Sequence, residues 1–225
     1  MPVESSAAAS NRRSRRKEAR PAEMIEAARD LFIERGFAAT KLEEVARRAG
    51  VSVGLPYVYF QGKEGLFKAV VRESILPNIR LGEELLEGFD GPTEELLRLI
   101  VAKYREMDRQ PAAGLPKLVM AEAANFPDLA RFYMDEVVMR ARRFFAAVIR
   151  RGIRRGEFRA VDADAMARVV VAPLSMLTIW THSLAPYEAD PDATPESFLD
   201  SYLDLVLNGL RVPPANDLPK DTDHV

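Results

Sequence analysis

Between Gly36 and Glu64 the chain carries two short amphipathic patterns separated by Gly50-Val51-Ser52. Apolar residues that restart their helical register around a glycine within so few positions read as two short helices joined by a tight turn, a helix-turn-helix, with an ordinary amphipathic helix as the alternative for each taken alone. Leu42, Val45, Ala46 and Ala49 fall on one face at helical spacing, with Lys41, Glu44, Arg47 and Arg48 outside it. Thr40 and Glu43 predict a capping box that opens the first short helix. Gly50 supplies the left-handed residue that ends it, and Val51 can pack back on the last turn. Ser52 is the expected N-cap of a second short helix from about Val53 to Phe60, closed by Gln61-Gly62. Its outward face is the candidate reader of base edges. The third helix is expected ahead of these, over about Pro21 to Arg35, with Pro21 in its first turn, Gly36 as its stop and an apolar stripe of Met24, Ile25, Ala28, Leu31 and Phe32.

These residues resemble the tetracycline-repressor (TetR) family of one-component transcriptional regulators. The match runs from about Met24 to Val70, through Ala27-Ala28, Leu31-Phe32, Gly36-Phe37, Val45-Ala46, Ala49-Gly50-Val51-Ser52, Gly54, Tyr57, Tyr59-Phe60, Lys63-Glu64 and Leu66. The resemblance implies an all-α homodimer. Its N-terminal three-helix domain would hold the major groove, and its larger, variable C-terminal helical domain would bind a small molecule that releases the DNA. Thr40, Tyr59 and Lys63 stand where the family clamps the phosphate backbone, and Lys41, Ser52, Val53, Gly54 and Tyr57 complete the candidate surface. Phe60 is expected in the core, and Tyr57 is balanced between core and DNA. Where the family has a small hydroxylated residue and then an aliphatic one before the tyrosine, this chain has Leu55-Pro56. With Ser52 as N-cap, Pro56 would lose a helical hydrogen bond and crowd the Ser52 carbonyl, at ~3 kcal/mol, and a start nearer Gly54 would avoid most of that. Base contacts from Leu55 and Pro56 would be apolar, as to thymine methyl groups.

Upstream, Arg12, Arg13, Arg15, Arg16, Lys17 and Arg20 crowd together with only Glu18 opposing them. Such a run repels itself, so residues 1–20 are expected to be a disordered basic arm that can enter a minor groove or follow phosphates. No apolar run follows these charges, so the segment does not read as a secretory signal. Residues 1–72 hold 14 Lys/Arg against 9 Asp/Glu, a net of +5, so the rest of the chain carries −7 of the overall −2. A basic end on an acidic body fits a protein that grips a polyanion with one face.

At 225 residues and 48% hydrophobic content, a small domain and a larger one can each bury a core. The absence of cysteine excludes disulfides and thiolate metal sites and agrees with a reducing cytoplasm. Apolar stretches such as Val169 to Trp180 are interrupted and too short for a membrane span, so no membrane partner is expected. The division expected is 1–20 arm, 21–68 DNA-binding domain, 69–211 effector-binding and dimerisation domain, and 212–225 flexible tail.

Beyond Lys63, punctuation predicts further helices. One runs from Glu64 to about Leu86, kinked at Pro77. Others run from Thr93 as cap to about Gln110, and over about Lys117 to Asn125. A long one opens at Phe126-Pro127 and stops at Gly156, another starts at Asp162 or Asp164 and reaches about Ser183, and the last spans Glu196 to Asn208. The segment Leu118 to Ala130, with Phe132-Tyr133 after it, resembles an AefR-like branch of the family. That implies a helix-breaking Phe-Pro beside the effector cavity. Candidate cavity residues are Met107, Leu118, Glu122, Phe126, Phe132, Met134, Val137, Phe144, Val169, Met176, Leu177 and Trp180, because methionine and aromatic walls adapt to varied apolar ligands. Core packing is the competing role for each. Glu122 needs a partner among apolar neighbours, for which Arg140 and Arg143 are candidates; left unpaired, it would orient a polar or cationic effector. Dimerisation is expected through the last two helices, using Met166, Val169, Val170, Pro173, Leu174, Leu177, Phe198, Tyr202, Leu205 and Val206.

An enzyme is disfavoured. There is no phosphate loop, no paired metal-ligand spacing and no serine-histidine-acid set, and Gly152-Ile153-Arg154-Arg155-Gly156 lacks the lysine and hydroxyl of a phosphate loop. His182 and His224 suggest neither a metal nor a cofactor. The alternative reading is an architectural or recombination-type DNA-binding protein without a ligand.

Overall fold

The computed structural model describes residues 4–212, with side chains from residue 20 onward. The order is α1 (Glu4–Arg35), α2 (Leu42–Arg48), α3 (Leu55–Phe60), α4 (Lys63–Ser74), α5 (Leu76–Gly88), α6 (Thr93–Asp108), α7 (Leu115–Glu122), α8 (Pro127–Tyr133), α9 (Met139–Arg154), α10 (Ala163–Thr181) and α11 (Pro195–Leu210). Short 3-10 turns lie at Pro111–Gly114 and Ala185–Tyr187, and a π turn at Met134–Val138 joins α8 to α9. Among the described residues there is no strand, only an isolated bridge between Phe158 and Arg211. The all-α expectation holds.

The chain forms two compact units. The first joins Met1–Pro77 to Gly114–Glu136, and the second joins Asn78–Ala113 to Val137–Val225. In the first, α1, α2 and α4 close over Phe32, Phe37 and Phe67, whose ring centroids lie 5.5–5.6 Å apart. Aromatic pairs at this spacing add about 0.5–1.5 kcal/mol each beyond their burial. Met24, Ala28, Leu31, Val45, Leu66 and Val70 fill the rest. Gly36 ends α1 at φ 88° and Gly50 follows α2 at φ 65°, both in the left-handed region that glycine enters without penalty.

Several local expectations are corrected. α1 begins at Glu4, so the backbone of the basic segment that carries Arg12, Arg13, Arg15 and Arg16 is helical rather than disordered; side chains before residue 20 lie outside the described residues. Ala7, Ala8, Ala9, Ala19 and the arginines are strong helix formers, and their summed propensity offsets the charge repulsion. Pro21 therefore sits inside the helix rather than in its first turn. Thr40 does not cap α2. It is buried, and its hydroxyl donates to the carbonyls of Gly36 (2.8 Å) and Leu31 (3.2 Å), so the cap passes to Lys41, whose amide donates to Glu44. Ser52 does not cap α3. The helix starts at Leu55 behind Gly54, which puts Pro56 in the first turn where no bond is lost. Pro77 does not kink a continuous helix; α4 ends at Ser74 and Pro77 lies in the first turn of α5. A tail after Val212 falls outside the described residues.

In the second unit, α9, α10 and α11 pack with α6 around Leu97, Phe145, Val148, Ile149, Ala167, Val170, Leu174, Leu177 and Leu199. Asp162 caps α10 by accepting from the amides of Asp164 and Ala165, and Thr194 caps α11 in a box with Ser197. By length and composition alone, α10 passes for a membrane-spanning helix, but its Ala167, Val170, Leu174 and Leu177 are core residues. Within this unit the α6 start is anchored by side chains. Arg151 is buried and donates to Thr93 Oγ1 (2.6 Å) and to the carbonyls of Phe89 (2.8 Å) and Gly91 (2.7 Å).

Glu157 accepts from the Thr93 amide at 2.7 Å and from Arg155 at 2.6 Å. Burial works against its charge, but the bonds from Thr93 and Arg155 hold its carboxyl down at about 2. A lowered carboxylate pKa contributes stability that is complete above the ordinary value of 4.5 and is lost as pH falls through about 2. The urea midpoint is therefore expected to decline between pH 4.5 and pH 2, and Glu157→Gln should make that decline shallower. An unchanged pH profile in the variant would remove Glu157 from the account.

Candidate nucleic-acid interface

The helix-turn-helix is built from α2 and α3. The turn is closed by the Val51 amide on the Ala46 carbonyl (2.9 Å) and the Leu55 amide on the Ser52 carbonyl (2.9 Å). Pro56 is the buried residue of α3. That packing turns Tyr57, Val58 and Tyr59 outward, with Val58 77% exposed, beside exposed Ser52, Val53 and Gly54. The apolar contact expected of Pro56 is therefore unavailable and Leu55 is half-buried, whereas Val58, absent from the sequence expectation, is the most exposed side chain of the helix. The signal for it was there: once Pro56 is counted inward, the positions after it rotate outward at 100° per residue.

Tyr57 is not core. Its hydroxyl donates to Glu43 at 3.0 Å, and Glu43 is held below its ordinary pKa first by its own backbone amide and then by this bond. The tyrosine is thereby tied to α2. Arg48 pairs with Glu34 at 2.8 Å and Arg35 with Glu44 at 3.0 Å, leaving Lys41 and Arg47 as exposed cations flanking the turn. Arg47 makes one long bond, to the Glu43 carbonyl.

Lys63 is placed differently from a free phosphate clamp. Its ammonium donates to the carbonyls of Phe37 (2.8 Å) and Ala38 (3.0 Å) and lies 4.6 Å from the Phe37 ring centre. Burial lowers its pKa, with Glu122 pulling the other way. Glu122 reaches the same turn, accepting from the Ala38 amide at 3.1 Å, with Asn125 also within bonding range. Its partners are thus the α1–α2 turn and Asn125, not Arg140 or Arg143; Arg140 pairs with Glu83. Phe126 stacks edge-on against Phe37 at 4.7 Å, and Phe132 lies 5.2 Å from Arg72 and 5.6 Å from Lys68 of α4. The segment around α7 and α8 is consequently fastened to the DNA-reading unit by ring contacts, a carboxylate and a shared lysine. We expect Lys63→Met to lower the unit's stability by about 1.5–3 kcal/mol through loss of charged hydrogen bonds. The salt dependence of DNA binding should stay as it was. A salt slope reduced by roughly one, with unchanged melting, would instead mark a phosphate contact.

The expected cavity residues are divided. Leu118, Glu122, Phe126, Phe132 and Met134 belong to the first unit, and Met107, Val137, Phe144, Val169, Met176, Leu177 and Trp180 to the second. Leu118, Val137, Phe144 and Leu177 are buried. Val169 and Met176 point outward, 63% and 58% exposed, because α10 turns Val170, Leu174 and Leu177 into the core. For the same reason Val170, Leu174, Leu177 and Tyr202, expected at a dimer face, are internal; the Tyr202 hydroxyl donates to the Val170 carbonyl at 2.9 Å. Among the described residues no cluster of three metal-binding side chains occurs.

A bihelical turn on a three-helix core, continued into a separate all-helical unit, defines a helix-turn-helix regulator. Residues 24–70 match the family model described as bacterial regulatory proteins, tetR family, and residues 90–206 match the tetracyclin repressor-like C-terminal domain. The chain belongs to the TetR family and is a ligand-responsive, DNA-binding transcriptional regulator. It is 25% identical over 190 residues to the transcriptional repressor KstR2 of Mycolicibacterium smegmatis, covering 84% of this chain and 89% of that one. Its fold is shared with FadR from Bacillus subtilis, solved with stearoyl-CoA, at a TM-score of 0.70 and 20% identity over 84% of this chain and 98% of the other. It is also shared with the ketosteroid regulator KstR2 of Mycobacterium tuberculosis, at a TM-score of 0.62 and 22% identity over 86% and 96%.

Proposed function

We propose that this protein is a homodimeric repressor that leaves a palindromic operator when an apolar or amphipathic effector binds its larger helical unit. The observation that supports it most is the outward surface of α3, oriented by buried Pro56 and by the Tyr57–Glu43 bond. Lys41, Arg47, Ser52, Val53, Gly54, Tyr57 and Tyr59 serve as its DNA-facing set, with Arg12, Arg13, Arg15 and Arg16 contributing charge. Leu55 and Pro56 support this surface from within. Thr40 and Lys63 position the turn through the backbone carbonyls they hold.

The dimer uses the outer faces of α10 and α11, where the apolar side chains of Val169, Met176, Phe198 and Leu205 are exposed. Two-fold symmetry then requires half-sites one helical turn apart, ~34–36 Å, or a multiple. The FadR–stearoyl-CoA neighbour makes a long-chain acyl-CoA the first effector to try. Binding would shift the population towards a state in which the two DNA-reading units no longer match groove spacing, with a coupling of order 1–3 kcal/mol. The protein would act in the cytoplasm, without a cofactor and without enzymatic activity.

The test is footprinting of purified protein on genomic fragments, repeated with saturating stearoyl-CoA and with free CoA. Protection at palindromic sites that is weakened by an apolar ligand supports the reading. A strictly monomeric protein indifferent to DNA at low salt overturns it. Protection that no ligand alters, together with a closed second unit, would favour an architectural role.

A further inference from the structure

We infer that Val58 reads thymine, and that each half-site of the operator carries a thymine whose 5-methyl group packs against this side chain. The inference rests on the DNA-binding reading and goes further by naming what the helix recognises. Its starting point is a valine in an unusual place. Val58 is 77% exposed, the most exposed residue of a six-residue helix in which Pro56 alone is buried, and β-branched residues favour neither helices nor water.

The chemistry of the neighbours narrows the occupant. Guanine is read by Arg or Lys forks, adenine by the amides of Asn or Gln, and cytosine by a carboxylate accepting from its amino group. Residues 52–60, Ser-Val-Gly-Leu-Pro-Tyr-Val-Tyr-Phe, contain none of these side chains. The nearest carboxylate, Glu43, is occupied by the Tyr57 hydroxyl. Besides Tyr57, whose hydroxyl is engaged, and Tyr59, the surface presents methyl groups, on Val58 of the helix and on Val53 of the turn before it (48% exposed). In the major groove the one apolar feature that distinguishes a base is the thymine methyl.

Gly54 adds an independent observation. It lies one helical turn before Val58 on the same face, at φ −76° and ψ −15°, a conformation open to any residue, and a Cβ placed there would meet nothing within 4 Å. Gly54 is the N-cap of α3, a position glycine fills better than alanine, and its missing side chain also leaves that space open. A base edge seated against Val58 would occupy that space. The occupant is therefore a pyrimidine methyl in duplex DNA rather than an apolar peptide, because Lys41 and Arg47 flank the same surface and the unit is net basic.

The experiment uses the full chain and a duplex selected from a randomised library made with thymine. That duplex is then remade with deoxyuridine at single positions, which deletes one methyl and leaves every hydrogen bond in place. A buried methyl is worth roughly fourfold in affinity, so one uridine per half-site should cost about fifteenfold across the symmetric site. With Val58→Ala, whose exposed position spares the fold, the thymine and uridine duplexes should bind equally at that position while differences elsewhere persist. Gly54→Ala should fold like the parent, with at most the small drop in melting temperature of a poorer N-cap, and bind the selected duplex at least tenfold more weakly. Equal binding of thymine and uridine duplexes by the parent, or an unaltered difference in Val58→Ala, overturns the inference and leaves the regulator reading standing. Failure to select any duplex at low salt would overturn that reading instead, and this inference with it.

Discussion

Gly65→Ala is expected to abolish operator binding and to cost the first unit on the order of 3–5 kcal/mol, the upper end for a single substitution. Gly65 lies in the first turn of α4, and a Cβ there would stand 1.6 Å from the Phe60 carbonyl oxygen and 2.8 Å from its carbon. Both are backbone atoms of the last residue of α3, so no side chain can swing aside. The chain can accept a methyl only by moving α3 off α4, which displaces Tyr57, Val58 and Tyr59 together. The left-handed Gln61 (φ 55°) and Gly62 (φ 108°) make the connection between the two helices short and leave it little slack. Thermal unfolding and DNA affinity should fall together. Gly88→Ala is the control: it meets nothing within 4 Å and should change neither. A Gly65→Ala protein that melts and binds like the parent would show that α3 is not held by α4 in this way.

The second large effect is expected in the other unit. Arg151→Met keeps the length and the apolar stem but removes every donor. The carbonyls of Phe89 and Gly91 and the Thr93 hydroxyl then lose their partner, and the guanidinium no longer covers the Phe89 ring at 5.7 Å. Thr93 is buried and the two carbonyls are partly so; leaving such groups unpaired costs about 1–3 kcal/mol each, less where water reaches them, so a total near 3–5 kcal/mol and a drop of about 10 °C in melting temperature are expected. Below that temperature, DNA affinity should remain near that of the parent, since the lesion lies outside the DNA-reading unit. A melting point within a degree of the parent's would mean that the Phe89–Thr93 corner is held by something else.

Local chemistry made much of the fold legible. Gly36, Gly50 and Gly156 stop helices where the pattern places them, each at positive φ, because the need for a left-handed residue is settled within one turn. The cap at Asp162 and the break before Pro127 were readable for the same reason. Thr40 and Ser52 mislead because their hydroxyl chemistry permits a cap that tertiary demands override: the carbonyls of Leu31 and Gly36 claim Thr40, and Pro56 moves the start of α3 past Ser52. Lys63 was visible as a basic residue beside the recognition helix. That its charge is spent on two carbonyls depends on where residues 25 and 26 positions earlier come to lie.

The periodicity of apolar residues, the glycines between them and the placement of charge already determine an all-helical chain with a DNA-reading turn near one end, since each of these acts over a few residues. Which methyls face outward on α3, which faces of α10 are internal, and that Glu122 meets the turn 84 residues before it are decided by packing alone. A helix offers every side chain a direction, but only the neighbouring elements determine which directions lead into water.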